Sequence, residues 1–185
     1  SSSQAYVNSF GQIRSEDAPF SAVDGDLSTA WTTSYLTPPR GQWLAVHYDR
    51  AQSFGSITLH GVPDASGEGI RSWRLRVGSK SVTARVDPFT GLARADLGGA
   101  RGSVLKVTVA SVGNGNRDAQ ISLREIDAPG LPATRILDVP PVKGAAAVAF
   151  VLTGRPETRA CVPTLLAPDC DPNRYRPAED PGGID

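Results

Sequence analysis

Through the middle of the chain apolar and polar residues alternate with a period of two, and this limits the possible folds more than any other feature. Leu44, Val46 and Tyr48 alternate with Trp43, Ala45 and His47; Ile57 and Leu59 alternate with Thr58 and His60; Trp73, Leu75 and Val77 alternate with Arg74 and Arg76. Val82, Ala84 and Val86 continue the pattern, followed by Leu105, Val107 and Val109, then Ile121 and Leu123. Every second side chain of a strand lies on the same face, so each run buries one face and wets the other. Pro38-Pro39, Pro63-Asp64, Pro88-Phe89, Gly98-Gly99 and Gly113-Asn114-Gly115-Asn116 separate the runs and are expected to be connections. Helices are hardly signalled. The expected fold is an antiparallel β-sandwich with one dry face per sheet.

The sandwich is expected to end near residue 130, where Asp127-Ala128-Pro129-Gly130 breaks the pattern. With 185 residues the chain has room for one sizeable domain, 1–130, and an extension, 131–185. In the extension, 135–139 and 146–152 are candidate strands on either side of Pro140-Pro141, and 155–185 reads as a linker or irregular arm rich in Pro, Asp and Arg. Cys161 and Cys170 lie in that arm. A disulfide between them is expected, with two free thiols as the alternative, because two cysteines without a nearby histidine make a poor zinc site. The bond would place the chain outside the cytoplasm.

Charge is balanced, 19 Lys and Arg against 19 Asp and Glu, and is spread along the sequence, so no nucleic-acid partner is expected. No apolar run approaches the length of a membrane span, the longest being 144–152. Methionine is absent and the chain opens Ser1-Ser2-Ser3, which suggests an excised piece of a larger protein.

A second feature stands ahead of the strands. In the stretch from Pro19 to Trp31, Asp24, Asp26 and Thr29 place three oxygen-bearing side chains around Gly25, a composition that suits a hard cation such as calcium. An EF-hand is excluded, because Thr29, Thr32 and Ser34 stand where further acidic ligands would be needed. The same stretch also reads as a structural corner, with Gly25 turning the chain and Trp31 buried beneath it.

Three stretches in order carry a family resemblance: Asp24-Gly25-Asp26 with Thr29 and Trp31, then Gln42-Trp43, then Glu125-Ile126. Together they resemble the discoidin domain (coagulation factor V/VIII C-type, F5/8 type C), a family that includes the family 32 carbohydrate-binding modules, over about residues 1–130. The resemblance implies an eight-stranded jelly-roll sandwich with a structural calcium ion. Its ligands would be the carbonyls of Ser21, Asp26 and Arg124, the side chains of Asp24 and Thr29, and the carboxylate of Glu125. Ligand contacts would come from loops at one end: Thr33, Ser34, Tyr35 and Arg40; Asp64, Glu68 and Arg71; and Asn114, Asn116, Arg117 and Asp118. Tyr35, Arg71 and Arg117 are the leading candidates. Each could equally be a solvated loop side chain. Trp31 and Trp43 match core positions of the family, and no aromatic spike for direct membrane insertion is apparent.

A narrower resemblance runs from Glu125 through Leu131, Thr134-Arg135 and the Cys161/Cys170 segment to Arg176-Pro177-Ala178-Glu179-Asp180. This is similar to the soluble region of the large membrane arabinofuranosyltransferases of mycobacteria and their relatives. It implies an extracytoplasmic, non-catalytic carbohydrate-binding module, holding a cell-wall polysaccharide of the arabinan or arabinogalactan type for a catalytic membrane domain of the same parent chain. Catalysis within the chain itself is not expected. His47 and His60 sit in strand runs, and there is no nucleophile elbow and no phosphate loop. Two other readings stay open: a structural or protein-interaction module without sugar affinity, and an accessory module of a secreted glycoside hydrolase.

Overall fold

The computed structural model describes residue 2 and residues 17–34, 37–66, 68–113, 120–131 and 133, together with the backbone of 160–162 and 169–171. The chain divides into two compact units, Ser1–Ala133 and Thr134–Asp185.

The first unit is nearly all β. After a short 3-10 turn, Pro19–Ala22, come β1 (Trp31–Thr32), β2 (Trp43–Gly61), β3 (Ile70–Val77), β4 (Lys80–Arg85), β5 (Leu92–Val112) and β6 (Ser122–Asp127). They form one sheet in the order β1-β6-β2-β5-β3-β4, antiparallel at every pairing. Eight strands are expected; among the described residues of this unit there are six, two of them long. β2 and β5 run against each other throughout, and their register shifts between His47 and Gln52 and again between Phe54 and Ser56. Along β5 only the 105–112 half pairs with β3, and along β2 only the 58–61 stretch pairs with β6.

Gly98-Gly99, expected as a connection, lies inside β5. Both glycines have positive φ, 61° and 77°, at the step where the register slips. Such a bulge bends a strand without ending it, and glycine adopts the required backbone at no steric cost. The Leu92–Leu97 half of the strand escapes a reading by hydrophobicity because its inward residues include the small Ala93 and Ala95.

Side chains from both halves of the bent ribbon share one core. Leu44, Phe54, Leu59, Trp73, Leu75, Leu105, Val107 and Leu123 are buried to within 1%. Removing such a side chain typically costs about 2–5 kcal/mol, since the cavity left behind only partly collapses. Trp31 and Trp73 belong to this core as expected. Trp43 does not: it is half-buried on the opposite face from Leu44, where Lys106 Nζ lies 4.0 Å from its ring centre. Trp73 Nε1 is buried and finds no hydrogen-bond partner among the described residues.

In the second unit, β7 (Ala160–Val162) and β8 (Asp169–Asp171) form an antiparallel pair within the stretch expected to be an irregular arm. Their register sets Cys161 directly opposite Cys170. The strands expected over 135–139 and 146–152 lie outside the described residues.

Candidate functional site

Backbone hydrogen bonds gather the connections of the first unit at one end. Gly41 N–H donates to Val109 O (2.9 Å), Gly113 N–H to Gly69 O (2.8 Å), Asp64 N–H to Pro88 O (2.8 Å), Gly61 N–H to Gly91 O (2.9 Å) and Thr33 N–H to Ile121 O (2.9 Å). The described residues of the connections 33–42, 62–69 and 86–91, and those flanking 114–119, are thereby linked at a common end. Of the expected ligand residues, Thr33, Ser34, Arg40, Asp64 and Glu68 lie in these connections and Arg71 near the start of β3.

Three of those residues are exposed, Arg40, Glu68 and Arg71, and Glu68 N–H donates to Ser66 Oγ at 3.3 Å. Thr33 and Ser34 have a different role. Both are buried: Thr33 Oγ1 accepts from Ile121 N–H (2.9 Å), and Ser34 N–H donates to Gln42 Oε1 (2.8 Å). Gln42, read from sequence only as part of a strand motif, ties the first loop together. Its Nε2 lies 3.0–3.3 Å from the carbonyls of Ser34, Thr37 and Pro38 and from Thr37 Oγ1.

Asp64 is likewise committed to its own loop. It accepts from Ser66 Oγ, Ser66 N–H and Gly69 N–H. The Ser66 hydroxyl and then the Gly69 amide hold its carboxyl below the ordinary carboxylate range, because both bonds favour the ionised form. Tyr35, Asn114, Asn116, Arg117 and Asp118 lie outside the described residues.

Phe89 was missed from sequence. It is 78% exposed in the turn between β4 and β5, and Val62, on the hydrogen-bonded neighbouring loop, is 40% exposed. An exposed aromatic ring is therefore present beside these loops. The turn signal Pro88-Phe89 is visible in the sequence, but a phenylalanine next to a proline does not reveal whether it points in or out.

The acidic corner forms a second centre. Asp24 Oδ1 accepts from Asp26 N–H (2.9 Å) and Asp24 Oδ2 from Thr29 Oγ1 (2.8 Å), and Thr29 Oγ1 also lies 3.0 Å from Asp26 O. Gly25 (φ 76°) turns its N–H onto Glu125 Oε2 at 2.8 Å, joining the loop to β6 across a hundred residues. The turn that holds buried Ser21 packs beside β1 and β6, the latter carrying Arg124. Burial raises the Glu125 pKa, and the nearby Asp24 and Asp127 carboxylates raise it further. Among the described residues no three carboxylate, imidazole or thiol groups gather at one point, so a cation here would depend on carbonyl and hydroxyl oxygens as well as Asp24 and Glu125. Beside this corner a cavity of about 440 Å³ is lined by Asp24, Leu27, Tyr48, His60, Glu125 and Asp127 among others. Tyr48 OH donates to Leu131 O at 3.4 Å there, and the Tyr48 ring meets Phe54 edge-on at 5.6 Å.

No helix among the described residues is long and apolar enough to cross a membrane. No protein-family model matches the chain. Over 126 residues it is 29% identical to an α-(1→3)-arabinofuranosyltransferase of Mycobacterium tuberculosis, covering 68% of this chain and 9% of that protein. Over 84 residues it is 30% identical to the enzyme of the same name from Mycolicibacterium smegmatis, covering 45% of this chain and 6% of that protein. The chain thus spans less than a tenth of the length of these relatives. A cryo-EM structure of the arabinofuranosyltransferase AftD from mycobacteria superposes with a TM-score of 0.62 at 21% identity, over 92% of this chain and 14% of that one. The family 32 carbohydrate-binding module of C. perfringens NanJ, solved with galactose, gives a TM-score of 0.50 at 17% identity over 69% of this chain and 90% of that one. The lectin-binding domain of lectinolysin, solved with Lewis b, gives 0.53 at 13% identity over 69% and 88%. The chain is therefore similar in sequence to mycobacterial arabinofuranosyltransferases, and its fold is that of the family 32 carbohydrate-binding modules.

Proposed function

We propose that this chain is a non-catalytic carbohydrate-binding module of an arabinofuranosyltransferase, working on the extracytoplasmic side and holding a cell-wall glycan of the arabinan type for a catalytic membrane domain of the same parent protein. The observation that carries the reading is the likeness of one chain to two kinds of protein: arabinofuranosyltransferases in sequence, and glycan-complexed modules in fold. The binding surface is the loop end. There Arg40 and Arg71 offer planar donors to sugar hydroxyls and Phe89 offers a face to sugar C–H groups, with Tyr35, Asn116, Arg117 and Asp118 as further contacts.

Calcium belongs to the acidic corner in this reading. The donor set fits a hard cation: two carboxylates, a hydroxyl and backbone carbonyls lie on two segments already in contact, and Glu125 is a half-buried carboxylate crowded by other carboxylates. Ser21, Asp24, Asp26, Thr29, Arg124 and Glu125 would hold the ion, which would staple the loop to the last strand. A Cys161–Cys170 disulfide across β7 and β8 is supported by their direct opposition. Denaturing, non-reducing alkylation should then label neither thiol.

Calorimetric titration of the full chain with arabinan fragments and with galactose tests the function. Saturable binding, weakened in Tyr35→Ala, Arg71→Ala and Phe89→Ala, is the expected result; silence across the panel would sink it. Such silence would favour a protein-interaction module, a reading to which exposed Phe89 and Val62 lend their own support.

A further inference from the structure

The outer face of β3, β4 and the 104–112 half of β5 gathers positive charge in a way the sequence order hides. One row runs across four strands in register, Ala45–Lys106–Arg76–Ser81, and the next row is Trp43–Thr108–Arg74–Thr83. Arg85 stands opposite Ser72 one step further along. Arg74, Arg76 and Arg85 are exposed and Lys106 is half-buried against Trp43. Lys106 and Arg76 are directly opposed, so two like charges face each other with Cβ atoms about 5 Å apart, a pairing that destabilises a sheet. No Asp or Glu occupies any in-register position of these strands to relieve them. The carboxylate that follows β4, Asp87, already accepts from Phe89 N–H at 2.9 Å. Yet the whole chain carries no net charge.

We propose that this face is a docking surface for an acidic polysaccharide, a chain bearing carboxylates at regular intervals. Three of the four cations are arginines, whose planar guanidinium matches a carboxylate with two parallel hydrogen bonds. Arg74 and Arg76 lie about 7 Å apart along their strand, so neighbouring acidic groups of one extended chain can be met together. Thr108, Thr83 and Ser81 stand between and beside the cations and supply hydroxyls for sugar oxygens. A lipid surface fits less well. The large apolar residues exposed among the described residues are Leu27, Val62 and Phe89, and none is on this face, so nothing there would enter a bilayer. The surface is separate from the loop end, and the proposal stands or falls independently of the neutral-sugar reading.

The test is a titration of the full chain with oligogalacturonate at low and at physiological salt, beside a neutral galactan of the same length, anionic phospholipid vesicles and a short DNA duplex. Saturable binding that salt weakens is expected for the oligogalacturonate and not for vesicles or DNA, and any galactan binding at the loop end should be insensitive to salt. Oligogalacturonate binding should weaken about tenfold or more in the double variant Arg74→Ser/Arg76→Ser, as two charge-assisted contacts are lost. That variant should melt at or slightly above the wild-type temperature and keep its affinity for neutral sugars. Absence of binding, equal binding of vesicles or DNA, an equal loss of galactan binding in the double variant, or undiminished oligogalacturonate affinity in the folded double variant would each overturn the proposal.

Discussion

The acidic corner and the basic face use charge in opposite ways. In the corner, carboxylates are engaged by the chain itself: Asp24 accepts from Asp26 N–H and Thr29 Oγ1, and Glu125 accepts from Gly25 N–H. On the basic face no carboxylate meets Arg74, Arg85 or Lys106 in register, and among the described residues Arg76 Nε donates to the carbonyl of Gly78, at 3.0 Å. Charges tied to backbone amides hold a structure together. Cations set in like-signed pairs without a carboxylate partner add little to it, even with Lys106 over Trp43, and suit a partner from outside. Substitutions in the corner should therefore be read out in stability, and substitutions on the face in binding.

The sharpest test of that contrast is Asp24→Ala. It removes two charge-assisted hydrogen bonds from a partly buried loop and should cost about 2–4 kcal/mol, measured by chemical denaturation. A cost below the error of the measurement would erase the distinction between the two regions. Next in size is added calcium. If the corner holds the ion, a hundredfold excess over Kd should stabilise the wild type by about 2.7 kcal/mol, since the ion binds only the folded chain. Thermal melts with calcium and with chelator check this, and Glu125→Gln should abolish the difference. Superimposable wild-type melts would leave the corner as hydrogen bonding alone.

Asp64 gives a smaller, pH-dependent effect. Its folded pKa is depressed, so its contribution is present above the unfolded carboxylate pKa and is lost as pH falls through the lower, folded value. The Gly69 amide resonance should follow that acid titration in NMR spectra, and in Asp64→Asn the dependence should vanish. The smallest effect is on the basic face. Arg76→Ser relieves the opposed pair with Lys106 and should change stability by only a few tenths of a kcal/mol, in the stabilising direction. A loss above 1 kcal/mol would mean that the face supports the fold after all.

Much of the fold was legible because burial on one face of a strand leaves a period-two record in the sequence, as at Trp73, Leu75 and Val77. The legible part ends where that record does. Ala93 and Ala95 are inward but small, and Gly98-Gly99 reads as a turn although it bends a continuing strand. At the loop end, Arg40 and Arg71 could be named from sequence, but the withdrawal of Thr33, Ser34 and Asp64 into structural hydrogen bonds could not. A polar side chain has no periodicity to say whether it faces solvent or a backbone amide.

By itself, then, the sequence determined an antiparallel β fold and an oxygen-rich corner, because both depend on residues close together in the chain. Only the tertiary structure decided which distant charges become neighbours. Lys106 and Arg76 are thirty positions apart, and Gly25 and Glu125 a hundred. Strand register alone brings the first pair together as an unrelieved repulsion, and loop closure the second as a hydrogen bond, because Coulomb forces and hydrogen bonds act through space and not along the chain.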